Sequence, residues 1–343
     1  MKAVYLTQPG TTSDVLTYVT DAPMPTIAED QVLVKVGATS VNRIDLVMRG
    51  GYPGMQTSYP HILGGDVAGT IEEVGSRVEG WKVGDRIVAY PMVWCGHCQL
   101  CNEGKHNLCL NWKYFGMHMP GGYAEYVAVP AQCLIALPEQ LSFAQATALG
   151  VAGLTAYHGL CTVADIQAGQ TFMIWGGSGG LGTLAIQIAK HRGATVIATC
   201  GTDEKKQTLR SLGADYVFNH NTENVFDEVK KLYPVGLDTV MDYVGPKTFQ
   251  QSFDLLKKGG QLLLCGILTG RETNFSIHMT YLRHLSIKGI YLGTKSEMQE
   301  LVALVAAGKI TPHIGDVLPL SAAAEAQDRL VSGDFTGKIV LQP

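Results

Sequence analysis

The sequence predicts an α/β protein: a barrel-like β domain, then a parallel sheet covered by helices. Three observations carry that expectation. Residues 1–90 alternate short β-branched runs with Gly and Pro, strands and helices alternate from about residue 143, and a glycine-rich turn joins one such strand to one such helix. At about 150 residues per domain, 343 residues suggest two domains with ample chain for two cores.

In the first part, Lys2–Leu6, Gln31–Val36, Asp66–Val74 and Asp85–Tyr90 read as strands of an antiparallel or barrel-like sheet, because alternation is partial and β-branched residues are frequent. Residues 91–122 are rich in Cys, Gly and Met and read as a long loop, which at that length is functional or internally held. Phe143–Thr162 is Ala- and Leu-rich and reads as helical. Strands then follow at Thr171–Trp175, Thr195–Thr199, Tyr216–Phe218, Asp238–Asp242 and Gln261–Gly266. Helices at Leu181–His191, Glu204–Leu212, Thr222–Leu232 and Phe249–Leu256 separate them, the pattern of βαβ units. Two further helices, Ser296–Ala307 and Ala322–Ser332, precede a last strand, Lys338–Leu341. The expected division is 1–150, 151–291 and 292–343, with the last segment returning to the first domain.

Composition removes several classes. An apolar fraction of 46% with 16% charged residues excludes wholesale disorder. A formal charge of −4 gives no general attraction for nucleic acid or an anionic membrane. No apolar run is read as reaching the ~18 residues of a membrane span, and MKAVYLTQPG lacks a secretory core, so a cytoplasmic location is expected. Disulfides are rare there, and the eight cysteines need another explanation.

The turn Gly176-Gly177-Ser178-Gly179-Gly180-Leu181-Gly182 holds G-x-G-x-x-G at Gly177, Gly179 and Gly182, after a strand and before a helix. In that context Gly177 permits the turn, Gly179 lets backbone approach a pyrophosphate, and Gly182 allows close helix–sheet packing. The helix N-terminus adds N–H donors. The next strand ends Thr199-Cys200-Gly201-Thr202 with no acid for a ribose 2′-hydroxyl, and Lys205 and Lys206 follow. That favours NADP(H) over NAD(H), the contrary reading being that Asp203 turns back to the ribose.

Cys95, Cys98, Cys101 and Cys109 lie within 15 residues. Four soft ligands at such spacings suit one tetrahedral zinc with no open position, a structural site. An iron–sulfur cluster is the alternative, though the ferredoxin ending C-x3-C-P is missing. Cys133, Cys161, Cys200 and Cys265 are scattered.

These motifs, with Gly64-Gly65-Asp66-Val67-Ala68-Gly69, Gly84-Asp85-Arg86, Gly121-Gly122-Tyr123-Ala124-Glu125-Tyr126, Leu154-Thr155-Ala156-Tyr157 and Gly337-Lys338-Ile339-Val340-Leu341, resemble the medium-chain dehydrogenase/reductase superfamily over essentially the whole chain. The resemblance implies a GroES-like β-barrel catalytic domain plus a Rossmann cofactor domain. Zinc alcohol dehydrogenases of that family hold a catalytic zinc on Cys, His and Cys. The matching positions here carry Asn42, Gly65 and Val151, with Asp66 in place of a neighbouring Glu. Such side chains cannot build a three-ligand zinc site. Asn42, Asp45 and Leu149–Leu160 look like the quinone oxidoreductase and zeta-crystallin branch, with a structural zinc lobe added.

The resemblance then implies an NADPH-dependent reductase of an activated C=C or a quinone, because a conjugated acceptor spreads the charge that zinc would otherwise stabilise. Alternatives are an enoyl-CoA reductase, an alcohol dehydrogenase with an atypical site, and an NADPH-binding protein without turnover. Asn42 is the candidate oxyanion donor, Tyr52 the proton donor and Asp45 an orienting group. Arg43 matches a pyrophosphate-binding arginine, and Thr155 a nicotinamide contact. Gly201, Lys205 and His220 match 2′-phosphate positions. Val244, Gly245, Gly266 and Leu292 are expected to line the cofactor, Lys338 to reach a phosphate, and Tyr52, Met92, Trp94 and His118 to shape an apolar pocket. The expected partners are a small-molecule substrate and a second copy or three further copies of the chain. The Rossmann sheet edge, with Gln261–Leu264, is the expected contact.

Overall fold

A computed structural model describes residues 1–343, which form two compact units. The first comprises Met1–Leu154, Thr294–Gly308 and Pro312–Pro343, and the second Thr155–Gly293 with Lys309–Thr311.

The chain begins with β1 (Ala3–Leu6), β2 (Leu16–Val19), β3 (Gln31–Ser40), α1 (Arg43–Arg49), β4 (His61–Ile62), β5 (Ala68–Val74) and β6 (Arg86–Ala89). It continues through β7 (Met92–Val93), α2 (Gln99–Asn102), β8 (Lys113–Tyr114), β9 (Tyr126–Pro130), β10 (Leu134–Ala136) and α3 (Phe143–Ala148). A π-helical segment, Leu149–Gly153, leads into α4 (Leu154–Tyr157), and a second one, His158–Val163, follows. Next come β11 (Thr171–Ile174), α5 (Gly180–His191), β12 (Thr195–Cys200), α6 (Glu204–Ser211), β13 (Tyr216–Asn219) and α7 (Val225–Leu232). The series ends with β14 (Leu237–Asp242), α8 (Pro246–Leu255), β15 (Leu256–Leu264), α9 (Ile277–Leu282) and β16 (Ser286–Gly289). The chain returns to the first unit with α10 (Lys295–Ala306), β17 (Ile314–Pro319), α11 (Ala323–Ser332) and β18 (Lys338–Gln342).

In the first unit the main sheet runs β10-β6-β5-β3-β18-β17, with β9 also paired to β3. Strand β3 is its spine. Val32, Val34, Val36 and Ala38 are buried at every second position, the period that puts one strand face into a core. Its far end, Thr39 and Ser40, pairs with Leu341 and Val340 of β18, which brings the last strand beside Asn42.

The second unit is a parallel sheet in the order β13-β12-β11-β14-β15-β16. The runs Phe172–Ile174 and Val196–Ala198 are wholly buried, as strands covered on both faces require. The order reverses between β11 and β14, and ligand crevices in such sheets open at the carboxyl ends of the strands at that point.

Three expectations are corrected. The loop 91–122 carries β7, α2 and β8. Gln261–Leu264 is not the sheet edge, because β16 pairs along Gln261, Leu262, Leu263 and Leu264 and is itself outermost. The helical stretch Phe143–Val163 is long and apolar enough to cross a membrane, but 67% of its apolar 18-residue part is buried, as in a core helix.

Candidate functional site

The positions matching the zinc ligands surround a buried ion pair. Lys338 Nζ lies 3.4 Å from Asp66 Oδ2, and both side chains are almost wholly buried. Asp66 Oδ2 also accepts from Ser40 Oγ (2.6 Å) and Asn42 Nδ2 (2.7 Å), and Oδ1 accepts from the Val151 backbone N–H (2.8 Å). Lys338 Nζ donates to Asn42 Oδ1 (2.7 Å) and to the Val41 carbonyl (3.1 Å). A buried charge is tolerated only when paired and hydrogen-bonded in this way.

Two expected roles change. Lys338 does not extend toward a phosphate, because its ammonium is spent inside this cluster. Asn42 is not poised to donate to an oxyanion. Its amide hydrogens go to Asp66 and to the Ser40 carbonyl (3.3 Å), and its oxygen accepts from Lys338. Nor does the cluster fit a catalytic zinc. A Cβ on Gly65 would stand 2.3 Å from the Tyr114 phenol oxygen, Val151 offers only its backbone, and an ammonium already lies against Asn42 and Asp66.

Asp45 caps α1 by accepting from the Asn42 backbone N–H (2.8 Å), and also takes the Gly64 N–H (3.2 Å) and the Tyr123 hydroxyl (3.1 Å). Burial pushes its carboxyl up to about 7 against the Asn42 N–H, with the Asp66 charge adding to the rise. Tyr52 follows α1, half-buried, and takes no part in these bonds. Arg43 opens α1. Met92 is core rather than pocket lining, Trp94 stacks on His106, and His118 meets the Trp112 edge.

The four cysteine sulfurs lie within 4.8 Å of one another, with Cys98 and Cys101 3.4 Å apart and Cys95 and Cys101 3.9 Å apart. A tetrahedron with Zn–S of about 2.3 Å has edges of roughly 3.8 Å, so the set fits one zinc. Cys109 Sγ accepts the backbone N–H of Cys95 (3.2 Å) and Asn111 (3.4 Å). The backbone N–H of Leu110, then that of Cys101, pulls the Cys98 thiol down to about 6, while burial pushes Cys101 up to about 12. A cation is what allows all four to be thiolates together.

In the second unit the glycine turn is built as a cradle. Gly176, not Gly177, has the left-handed conformation (φ +69°). Gly177 needs to be glycine because a Cβ there would stand 2.9 Å from Ala198 of β12, and one on Gly182 would stand 2.6 Å from the Gly176 carbonyl and the Gly177 backbone. Thr199 fixes the turn, its hydroxyl accepting from Gly176 N–H (2.9 Å) and its carbonyl from Gly177 N–H (2.7 Å). The first α5 hydrogen bond is Thr183 N–H to Gly179, so the N–H groups of Gly180, Leu181 and Gly182 open the helix as donors toward an anion. Ser178 lies at the tip.

Asp242, fully buried, orders the neighbouring loop. Its Oδ1 accepts from Val244 N–H (2.9 Å), Gly245 N–H (3.0 Å) and the Thr248 hydroxyl (2.9 Å), and its Oδ2 from Ser252, which accepts from Trp175 Nε1. Sequence reasoning passed over Asp242, although an acid ending a buried strand was a signal. Gly266 packs on the Tyr243 backbone, leaving no room for a Cβ. Leu292 is buried with φ +57°, and Thr155 is buried. At the β12 end, Asp203 is held by Lys206 (2.9 Å) and by Asn219 Nδ2 (3.2 Å), and Lys206 also reaches Glu223 (2.7 Å). His220 lies near Gly201, and desolvation, then the Lys205 charge, lowers its imidazole.

Two outcomes are expected. Lys338→Met strands the Asp66 carboxylate and costs about 3–5 kcal/mol of unfolding free energy in urea denaturation, much of it recovered by adding Asp66→Asn. A loss under ~1 kcal/mol, the value of an exposed pair, contradicts the pairing. Asp45 has a folded value raised from 3.8 to about 7, so its stabilising contribution is complete below pH ~4 and is lost as pH rises through ~7. Asp45→Asn therefore removes on the order of 2 kcal/mol of the stability loss between pH 5 and 8. An unchanged pH profile contradicts it.

The comparisons agree with this construction. Residues 28–139 match the alcohol dehydrogenase GroES-like domain, and residues 180–307 match the zinc-binding dehydrogenase family. A quinone oxidoreductase of Sus scrofa is 34% identical over 96% of this chain and 94% of its own length. An alcohol dehydrogenase of Geobacillus stearothermophilus is 34% identical over 94% of this chain and 95% of its own. The crystal structure of an NAD-dependent alcohol dehydrogenase matches with a TM-score of 0.95 at 34% identity, over all of both chains. The chain with the GroES-like sheet, the glycine cradle and the four-cysteine lobe thus belongs to the medium-chain dehydrogenase/reductase superfamily and is an oxidoreductase.

Proposed function

We propose that the protein is an NADPH-dependent reductase of quinones or of conjugated C=C bonds, working without a catalytic zinc. The observation that carries this is the closed Asn42–Asp66–Lys338 network, in which an ammonium and its hydrogen bonds stand where a metal-binding enzyme would need ligands. A plain ketone concentrates alkoxide charge on one oxygen and needs a strong electrophile there. A quinone or enone spreads that charge through conjugation, so the demand falls.

The chemistry that a bound nicotinamide would supply here is hydride transfer. The N–H groups of Gly180, Leu181 and Gly182 would hold its pyrophosphate, and Arg43 keeps the phosphate role that the resemblance implies. Val244, Gly245, Gly266, Leu292 and Thr155 are assigned to its nicotinamide half. Gly201, Lys205 and His220 are assigned to the 2′-phosphate. Support for NADPH over NADH comes from Asp203, whose carboxylate is tied to Lys206 and Asn219 instead of being available to a ribose hydroxyl. Asn42 and Asp45 act as positioning residues, fixing the end of β3 against the start of α1. Tyr52, the one member of the expected catalytic set outside the network, is assigned to proton delivery.

The test is a panel of quinones, enones, enoyl-CoA thioesters and simple aldehydes, each followed by NADPH and NADH oxidation. The expected result is kcat/KM for a quinone or enone about 100-fold above any simple aldehyde, and about 10-fold or more in favour of NADPH. Preference for simple aldehydes or secondary alcohols contradicts the zinc-free reading.

A further inference from the structure

One side chain spans the crevice between β11 and β14. Tyr243 follows β14, and its phenol donates a hydrogen bond to the carbonyl of Gly176, just past β11. The phenol oxygen lies 2.3 Å from where a Cβ on Gly176 would stand and 3.2 Å from where one on Gly179 would stand. The tyrosine is therefore packed along the glycine turn, half-buried. Its own backbone is fixed on both sides, by Asp242 holding Val244 and Gly245 and by Gly266 packed against the Tyr243 carbonyl.

The Gly176 carbonyl has only one backbone partner, Gly179 N–H at 3.2 Å. It sits in the turn whose free N–H groups open α5. The phenol O–H gives that carbonyl a second partner, so both of its lone pairs are used. The bond also fixes the peptide planes beside Gly176, and with them the aim of the turn.

We propose that Tyr243 is a positioning residue for the diphosphate of the dinucleotide, holding the Gly176 carbonyl and so setting the affinity of the glycine turn. The assignment rests on the dinucleotide reading given above. It calls for a change confined to the diphosphate end: an adenosine half with no 5′-phosphate should not feel it.

The experiment measures equilibrium binding to the full chain, wild type and Tyr243→Phe, of NADPH and NADH by fluorescence, and of adenosine 2′-phosphate and adenosine by calorimetry. The unliganded melting temperature is taken for both proteins. The expected result is a loss of about 5- to 10-fold in affinity for the preferred dinucleotide. Affinity for its adenosine half stays within about two-fold and the melting temperature within ~2 °C. Equal loss for both ligands means a general loosening and overturns the proposal, as does no loss for either. Wild-type protein that binds neither NADPH nor NADH overturns the dinucleotide reading itself, and the Tyr243 assignment with it.

Discussion

The buried pair of Asp66 and Lys338 is the constraint on which the first unit depends. An ion pair taken out of water must be matched atom by atom, or the cost of desolvation unfolds the region. Here the matching draws in Ser40 from the end of β3, Asn42 before α1, the Val151 N–H in a π-helical turn and Lys338 at the start of β18. Those residues are up to 298 positions apart in sequence, between Ser40 and Lys338. The pair thus pins the chain's last strand to its first long one.

The second unit is organised by the same logic with a different carboxylate. Asp242 has no ammonium beside it, and it is satisfied by two backbone N–H groups and two hydroxyls, with the Trp175 indole behind one of them. Both oxygens are used, and Oδ1 ties the loop after β14 at Val244, Gly245 and Thr248. That loop carries Tyr243 to the glycine turn, whose close approaches are in turn possible only for glycine at 177 and 182. Rigid strand ends and a preorganised turn are what a dinucleotide site needs, since every donor that is already aimed lowers the ordering cost of binding.

Much of this was legible in the sequence, and the reasons it was not elsewhere are physical. The parallel strands stood out because strands buried on both faces are uninterrupted apolar runs, as at Phe172–Ile174. The four cysteines and the glycine turn were legible because ligand spacing and strand–turn–helix context are local properties. Leu16–Val19 and Ser286–Gly289 were missed, being short and mixed in polarity, so that only pairing with a neighbour makes them strands. The role of Lys338 was misread because a lysine near a chain end looks exposed until β18 is placed against β3. Asn42 was read as an open donor for the same reason: its two partners, Asp66 and Lys338, are distant in sequence. Gly177 was given the turn that Gly176 makes, since the motif marks glycines without saying which one has positive φ.

One zinc, at the cysteine lobe, is expected, and none at the Asn42–Asp66–Lys338 network. The most direct measurement is the zinc content of the purified, zinc-saturated protein after dialysis, by elemental mass spectrometry, alongside Cys101→Ser. One zinc per chain, absent in Cys101→Ser, is the predicted result. Two zincs per chain, with one surviving in Cys101→Ser, would contradict it.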